Sequence, residues 1–409
     1  EIIRQNIQKL FRNVEISSVN LLRITRNGDY TLEESEDLET DFIEEIKRKL
    51  QSRKTGRVVR LEVEPGASKW MLRYLMNRWR IDKYNVFEID GLMDLTCLWQ
   101  LVGHNAFKYL QPPSRKPVPP LTLSDQHGDD IFQRFKKNDV LLHHPYNSVE
   151  PLLQLIEAAS TDPNVLAIKV TIYRLAKESR ITNALHRAAE NGKHVSVLFE
   201  IKARFDEENN IHEAKRLQEA GCFVIHGIGT LKTHTKILLI VRKEGDKVTR
   251  YVHMSSGNYN EDTSRLYTDV GFITTKEYYA QDVSEFFNAI TGHSYPQQYD
   301  SLMTAPVRMR KQLIELVQQE AANAQAGLSS GIIIKVNSLQ DDKFIDALYK
   351  ASQEGVPIKL VVRGICCLRP GRKDLSENIS VRSLVGNYLE HSRLFYFHNH
   401  GNPKIYGGS

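Results

Sequence analysis

Short apolar runs alternate with amphipathic segments along most of this chain from about residue 165 onward. VLAIKVTIY (165–173) and HVSVLFEI (194–201) are nearly continuous apolar runs, whereas ITNALHRAAENG (181–192) repeats its apolar residues every three or four positions. Strands that are buried on both faces have continuous apolar sequences, and the amphipathic helices between them cover those faces. The pattern predicts an α/β domain with a parallel or mixed sheet.

The same order of elements occurs a second time further along the chain. GIIIKVNSL (331–339) aligns with VLAIKVTIY, DKFIDALYKASQEG (342–355) with ITNALHRAAENG, and IKLVVRG (358–364) with HVSVLFE. Each copy then has a histidine, one spacer residue and a cation before an apolar strand, in LKTHTKILLI (231–240) and YLEHSRLFYF (388–397). Chance similarity between two α/β units does not easily account for both histidines, so we predict an internal duplication.

The first 110 residues have a different pattern, in which helices and strands are mixed. LETDFIEEIKRKLQ (38–51) has the apolar stripe of a helix, and VVRLEVE (58–64) alternates like a strand. The proline-rich stretch QPPSRKPVPPL (111–121) can neither continue a helix nor donate hydrogen bonds at the centre of a sheet. We therefore predict three domains: a head domain over 1–120, a first α/β domain over 121–301 and a second over 302–409.

Composition and charge narrow the class of protein. Of the 409 residues, 41% are apolar and 26% are charged, as in soluble globular proteins. No apolar run approaches the roughly 18 residues of a membrane span, so we expect a cytoplasmic protein. The net charge of +5 is a mild excess that suits an anionic ligand without requiring nucleic acid.

The two histidine segments carry the candidate chemistry. Residues at i and i+2 of a strand share a face, so His234 is expected beside Lys236, and His391 beside Arg393. A neutral imidazole beside a positive charge is available as a nucleophile, and the cation can hold the anionic group under attack. The segment Ser256–Asn258 supplies hydroxyl and amide groups that could orient the imidazole or bind phosphate oxygens. One strand histidine is usually only packed, but two in equivalent places favour a paired site.

Several longer stretches resemble the bacterial polyphosphate kinase family of the phospholipase D superfamily. They are TIYRLAKESR, ARFDEENNIHEAKRL, THTKILLI, SSGNYNEDTSRLYTD, LVVRGICCL and YLEHSRLF. The resemblance extends from about residue 140 to the end, and weakly before it. It implies two duplicated phospholipase D-like α/β/α domains with mixed sheets, preceded by a smaller α+β head domain. It also implies that the chain is a fragment lacking an N-terminal domain and the C-terminal end, whose activity alone is in question.

The resemblance also implies an activity. Polyphosphate kinases transfer the terminal phosphate of ATP reversibly to inorganic polyphosphate through a phosphohistidine, which by motif would be His234, with His391 as the second catalytic histidine. Tyr267, Arg363 and His391 match positions that contact the nucleotide. The expected partners are ATP or ADP, with Mg²⁺, and polyphosphate, and no nucleic acid is expected. The resemblance favours a homo-oligomer and leaves peripheral membrane association open.

Two arginines match the family's magnesium-phosphate site, namely Arg174 and Arg204. A guanidinium has only donors and a permanent charge, so it does not ligate Mg²⁺, which prefers oxygen. We therefore interpret both arginines as clamps on phosphate oxygens, with the metal carried by ATP. Lys236, Asn258 and Arg393 are expected to support the site.

Two other functions stay open at this stage. A phospholipase D-like phosphodiesterase or hydrolase would use water as acceptor, but the aspartate of the fuller superfamily motif is replaced by Val241 and His398. A non-catalytic fragment that binds polyanions would show salt-sensitive binding that survives loss of His234.

Overall fold

The computed structural model describes residues 2–28, 44, 50, 55–113, 115–120, 123, 130–176, 179–200, 203, 206–227, 231–292 and 299–409. The chain forms two compact units, Glu1–Ser114 and Arg115–Ser409. Apart from residues 44 and 50, the helix predicted over 38–51 lies outside the described residues, and so does the site residue Arg204. The predicted domain boundaries at 120/121 and 301/302 stay predictions.

The first unit is a small α+β domain. Its sheet has the order β1-β2-β3, with β1 antiparallel and β3 parallel to β2. The predicted alternating strand is β2, and its residues Val58, Leu61 and Val63 form the core under α2. Helix α2 begins after Ser68, whose hydroxyl accepts a hydrogen bond from the amide of Met71. The elements are β1 (Leu22–Arg26), β2 (Val58–Val63), β3 (Val86–Glu88), α1 (Ile2–Leu10), α2 (Lys69–Trp79) and α3 (Trp99–Val102).

The first half of the second unit is a mixed sheet with the order β10-β9-β8-β5-β6-β7. Strands β5, β6 and β7 are parallel, β8 is antiparallel to β5 and β9, and β4 pairs with β10. The strands are β4 (Val140–His144), β5 (Val165–Ile172), β6 (His194–Phe199), β7 (Phe223–His226), β8 (Ile237–Glu244), β9 (Lys247–Ser255) and β10 (Tyr267–Thr274). The helices are α4 (Ile131–Lys137), α5 (Glu150–Thr161), α6 (Arg180–Glu190), α7 (Glu207–Glu219) and α8 (Glu277–Gly292).

The second half has a smaller sheet with the order β13-β12-β11-β15-β16. Its helix α10 begins at the cap residue Asp341, whose carboxylate accepts from the amide of Phe344. Phe344, Ile345 and Leu348 recur at helical spacing and are buried in the core of this half. The elements are α9 (Met309–Gln325), β11 (Ile332–Val336), α10 (Asp342–Gln353), β12 (Ile358–Val362), β13 (Ile379–Arg382), β14 (Leu389–Glu390), β15 (Arg393–Phe397) and β16 (Lys404–Gly408).

The two halves repeat one topology. The order β9-β8-β5-β6-β7 in the first corresponds to β16-β15-β11-β12-β13 in the second, with three parallel strands followed by two antiparallel ones. The strands and helices predicted from the repeated pattern are therefore confirmed. So is the fold class of two duplicated α/β/α domains with mixed sheets, preceded by a smaller α+β domain.

One short strand joins the two halves. Strand β14 belongs to the second half but pairs in parallel with β10 of the first, Tyr267 opposite Leu389 and Thr268 opposite Glu390. The Leu389 amide also donates to the Leu266 carbonyl over 3.0 Å. Because His391 follows β14 directly, this pairing carries the second histidine to the sheet of the first half.

Candidate active site

The two histidines lie just before strands and not within them. Strand β8 begins at Ile237 and β15 at Arg393, so His234 and His391 stand in the extended segments that lead into these strands. His234 is half-buried and His391 is 9% exposed. The charges that act on His234 include Arg393 and His391 of the other half. The structure therefore brings the two predicted histidine segments into one site.

His234 is held by three neighbours. The Tyr173 ring meets the imidazole edge-on, with centroids 5.0 Å apart. Lys236 Nζ donates to the His234 carbonyl and lies 5.0 Å from the Tyr173 ring centroid. Ser409 Oγ donates to the same carbonyl over 2.7 Å and lies 3.0 Å from His234 Nδ1. Because a serine hydroxyl has one hydrogen, Nδ1–H must be the donor in that second contact, which leaves a lone pair on Nε2.

The surroundings of His234 keep it neutral. Burial lowers the pKa of His234 to about 3, and the positive charges of Arg393 and Arg174 act in the same direction, as does Lys236 where it is protonated. At neutral pH the imidazole is therefore unprotonated. A neutral ring with a free Nε2 lone pair can act as a nucleophile.

Lys236 is not the fixed cation that the sequence suggests. Its side chain is 1% exposed, and burial lowers its pKa to about 6. Arg393 lowers the pKa further, whereas Asp269 raises it. Below about pH 6 the amine is charged, and above it the amine is increasingly neutral. Of the two motif cations, Lys236 and Arg393, the permanently charged one is therefore Arg393.

His391 is oriented by a buried carboxylate. Its Nδ1 lies 2.7 Å from Asp269 Oδ1, which also accepts from Ser256 Oγ over 2.7 Å. Burial alone would raise the pKa of Asp269, but the hydrogen bonds from His391 and Ser256 and the charge of Arg393 hold it below its usual value. The ionised carboxylate accepts Nδ1–H, so the lone pair of His391 is on Nε2, 3.3 Å from Arg393 Nη1.

Asp269 is a functional residue that the sequence motifs did not identify. The aspartate of the fuller superfamily motif lies beyond the motif cation, where this chain has Val241 and His398, whereas the carboxylate that contacts His391 comes from β10. Asp269 is the charged residue of β10 and is 3% exposed, and a charged residue buried in a strand is a signal that it has a partner. A Cβ at Gly257 would lie 2.6 Å from Asp269 Oδ2, so glycine is required where this loop passes the carboxylate.

The small-residue segments after β9 and β16 each serve the histidine of the other half. Ser256, after β9, reaches His391 through Asp269, and Ser409, after β16, contacts His234. Each segment therefore meets the histidine of the other half, Ser409 directly and Ser256 through Asp269. Ser256 reaches His391 in this way because β14 adds to β10, which itself pairs with β9.

The predicted phosphate clamp is described only in part. Arg174 pairs with Asp206, with Nε 2.9 Å from Oδ2, and its guanidinium carbon lies 5.9 Å from the Tyr173 ring centroid. Its charge acts on His234, which places it at the same site. Arg204 lies outside the described residues, so its part in the clamp stays a prediction.

The predicted nucleotide contacts surround His391. The Tyr267 ring is 5.2 Å from the His391 ring, between centroids. Arg363 Nη1 donates to the Glu390 carbonyl over 2.8 Å, directly before His391. Asn258 lines a small cavity that Asp269 also lines, and its Oδ1 is buried with no hydrogen-bond partner among the described residues.

The described residues do not form a magnesium site of their own. Nowhere in the described ranges do three histidine, cysteine, aspartate or glutamate side chains come together in a way that could hold a metal ion. Arg174 is a donor and so is not a ligand. Within the described ranges, no cluster of carboxylates and histidines is therefore present that would hold Mg²⁺ by protein side chains alone.

Known proteins with similar sequences and structures identify the family. Models of three polyphosphate kinase domains match: the middle domain over residues 1–101, C-terminal domain 1 over 130–296 and C-terminal domain 2 over 302–409. Polyphosphate kinase 1 of Chlorobaculum tepidum is 44% identical over 412 residues, which is 100% of this chain and 58% of that protein. Polyphosphate kinase of Bacillus cereus is 44% identical over 409 residues, 99% of this chain and 58% of that protein.

The solved structures agree with the sequences. The crystal structure of polyphosphate kinase from Porphyromonas gingivalis matches with a TM-score of 0.82 and 30% identity, over 99% of this chain and 58% of that one. The chain thus spans a little under three fifths of the length of these relatives. Together with the three domain matches, which cover nearly all of the chain, these likenesses show that the chain belongs to the polyphosphate kinase family.

Proposed function

We propose that this chain carries the phosphotransfer site of a polyphosphate kinase, which moves the terminal phosphate of ATP reversibly to inorganic polyphosphate through a phosphohistidine at His234. The observation that carries the proposal is the shared site of the two histidines. His234 presents a neutral Nε2, and Arg393 and Arg174 surround it with positive charge. The relatives named above are polyphosphate kinases, which supports the same activity.

In the first step, His234 Nε2 attacks the terminal phosphorus of ATP. A nitrogen–phosphorus bond forms while the bond to the bridging oxygen breaks, and ADP leaves with that electron pair. The phosphoryl group carries spread negative charge in the transition state, which positioned cations stabilise. Arg393 and Arg174 supply that charge here, and an arriving phosphate raises the pKa of Lys236 so that it regains its proton.

In the second step, a terminal oxygen of polyphosphate attacks the phosphorus of the phosphohistidine. An oxygen–phosphorus bond forms while the nitrogen–phosphorus bond breaks, its electron pair returns to His234 Nε2, and the polymer is one phosphate longer. His391 Nε2 can take a proton from the incoming phosphate end and return it when the reaction runs backwards. The buried Asp269 carboxylate stabilises the imidazolium that forms and holds the Nδ1 proton in place. The two histidines therefore have different parts, nucleophile and proton carrier.

Magnesium enters this proposal only with the nucleotide. The described side chains form no cluster of three metal ligands, so Mg²⁺ would arrive as part of the substrate, bound to the phosphates of ATP. Arg174 would then grip phosphate oxygens, as Tyr267 and Arg363 would contact the nucleotide. No step above depends on a protein-held metal.

Other properties of the whole protein stay predictions. None of the helices in the described ranges is both long and apolar enough to span a bilayer. These properties are the cytoplasmic location, the homo-oligomeric assembly and the peripheral membrane association.

The test is to incubate the full-length protein with ATP labelled at the terminal phosphate and to measure acid-labile, alkali-stable label on the protein. We expect label on the wild type and none on His234→Gln. The matched control is His212→Gln, because His212 is an exposed histidine on α7. Label that persists in His234→Gln would contradict the proposal. Release of free phosphate without polymer would support the hydrolase instead, and ATP binding without label would support a binding module.

A further inference from the structure

A network of three polar side chains surrounds the segment that carries the second histidine. We propose that Thr268, Lys335 and Glu390 are positioning residues, which together fix His391 against Asp269. None of the three is needed as a nucleophile or proton carrier in the reaction above. The inference rests on the proposed role of His391, but the contacts that carry it are separate from those of His234.

Thr268 is the contribution of the first half. It lies in β10, is 3% exposed, and donates from Oγ1 to Glu390 Oε2 over 2.9 Å. Thr268 Oγ1 also accepts a hydrogen bond from the His391 amide over 3.2 Å, and the Thr268 carbonyl accepts one from the Ser392 amide over 2.8 Å. A hydroxyl has one hydrogen, so its donation to Glu390 directs a lone pair at the His391 amide. Thr268 thus sets the main-chain position of His391.

Lys335 is the contribution of the second half. It lies in β11, and its Nζ is 2.8 Å from Glu390 Oε2 and 2.6 Å from Ser392 Oγ. One ammonium therefore holds the residues on both sides of His391. Burial alone would raise the pKa of Glu390, but the hydrogen bonds from Lys335 and Thr268 hold it below its usual value. Glu390 is accordingly a carboxylate that binds both Thr268 in β10 of the first half and Lys335 in β11 of the second.

The network affects the catalytic geometry because Thr268 is next to Asp269 in the chain. Asp269, which receives the His391 Nδ1 proton, is the residue after Thr268, so one strand fixes both the backbone and the ring of His391. Without a charged Glu390, the Thr268 hydroxyl has another acceptor in the Leu389 carbonyl, 3.5 Å away. Turning the hydroxyl to that carbonyl would redirect its lone pair away from the His391 amide. A shift of about 1 Å at a catalytic group can cost about 100-fold in rate.

The test compares Lys335→Met with the exchange variant Lys335→Glu/Glu390→Lys in the full-length protein. The matched control is Lys276→Met, because Lys276 pairs with Asp139 over 2.6 Å near the opposite end of β10. We expect Lys335→Met to lower kcat for polyphosphate synthesis by about 10- to 100-fold with little change in KM for ATP. The exchange variant should recover part of this loss, and Lys276→Met should keep the wild-type kcat.

A second readout does not depend on activity. The Nδ1–H proton of His391, identified by its loss in His391→Gln, should give a downfield NMR signal in the wild type because it is bonded to a carboxylate. We expect Lys335→Met and the isosteric Glu390→Gln to shift or broaden this signal. If both variants keep the signal and the kcat of the control, the network is only a surface ion pair and the inference is overturned. If the wild type neither labels His234 nor makes polymer, the proposed function fails, whereas the NMR signal still tests the network.

Discussion

Replacing Asp269 with asparagine should separate the orientation of His391 from the fold around it. The carboxylate accepts hydrogen bonds from His391 Nδ1 and Ser256 Oγ, both over 2.7 Å, and is 3% exposed. Asparagine keeps the shape but removes the charge, and its amide can donate to Nδ1 and so favour the wrong tautomer of the ring. The protonated His391 would then also lose its counter-charge.

The size of the effect follows from the contact that is lost. A hydrogen bond to a charged group contributes about 1.5–3 kcal/mol, which corresponds to about 10- to 150-fold in rate at about 1.4 kcal/mol per tenfold. We expect Asp269→Asn to lower kcat by that factor, measured as polyphosphate formed from saturating ATP. The melting temperature, recorded on the same samples, will show how much folded protein each assay contains.

Asp282 provides the matched control. It is also 3% exposed, and it accepts three backbone amides, those of Asp300, Ser301 and Leu302, away from the histidines. Asp282→Asn should lower the melting temperature but leave kcat unchanged. Equal kcat values for Asp269→Asn and the wild type would refute the assignment of Asp269 as the residue that orients His391.

Three further outcomes follow from the same contacts. Gly257→Ala places a Cβ 2.6 Å from Asp269 Oδ2, so kcat should fall at least as far as in Asp269→Asn. The control is Gly386→Ala, which should leave kcat unchanged because a Cβ at Gly386 would meet no atom within 4 Å. Burial lowers the pKa of Lys236 from 10.5 to about 6, so at pH 7.5 the empty site holds the neutral amine and triphosphate binding should take up a proton. Calorimetry in buffers of different ionisation enthalpy will detect this uptake, and Lys236→Arg should abolish it. The fully buried Glu200 accepts a hydrogen bond from the amide of Thr233, the residue before His234, over 2.6 Å. Glu200→Gln should therefore slow the labelling of His234 in a single-turnover assay. Unchanged labelling would show that this contact does not position the nucleophile.

The sequence was sufficient to predict the repeated strands and helices of the two α/β halves. The apolar run VLAIKVTIY forms β5, and its counterpart GIIIKVNSL forms β11. These strands could be predicted because a strand that is buried on both faces has an apolar sequence of its own. The pairing of His234 with His391 could also be predicted, since both follow the same element in the repeat. Motif spacing thus identified the histidines before any geometry was known.

Contacts between distant segments could not be predicted in the same way. Asp269 lies 122 residues from His391, and their contact depends on the pairing of β14 with β10, a two-residue strand pair that leaves no periodic signal. The charge state of Lys236 was equally inaccessible, because it depends on burial by neighbours from several segments. Both misses concern tertiary contacts and not local structure.

The exchanged contacts of Ser256 and Ser409 have a consequence for the origin of this fold. When a patch on one copy contacts the equivalent patch on another and the contact is returned, the arrangement is an isologous interface, as in a twofold-symmetric dimer. The two halves of this chain are therefore arranged as the subunits of such a dimer would be, which fits the duplication of one unit within a single chain. Equivalent positions of one chain are encoded separately and can differ, so one half has Lys236 where the other has Arg393, and the two histidines of the proposed mechanism can take different parts.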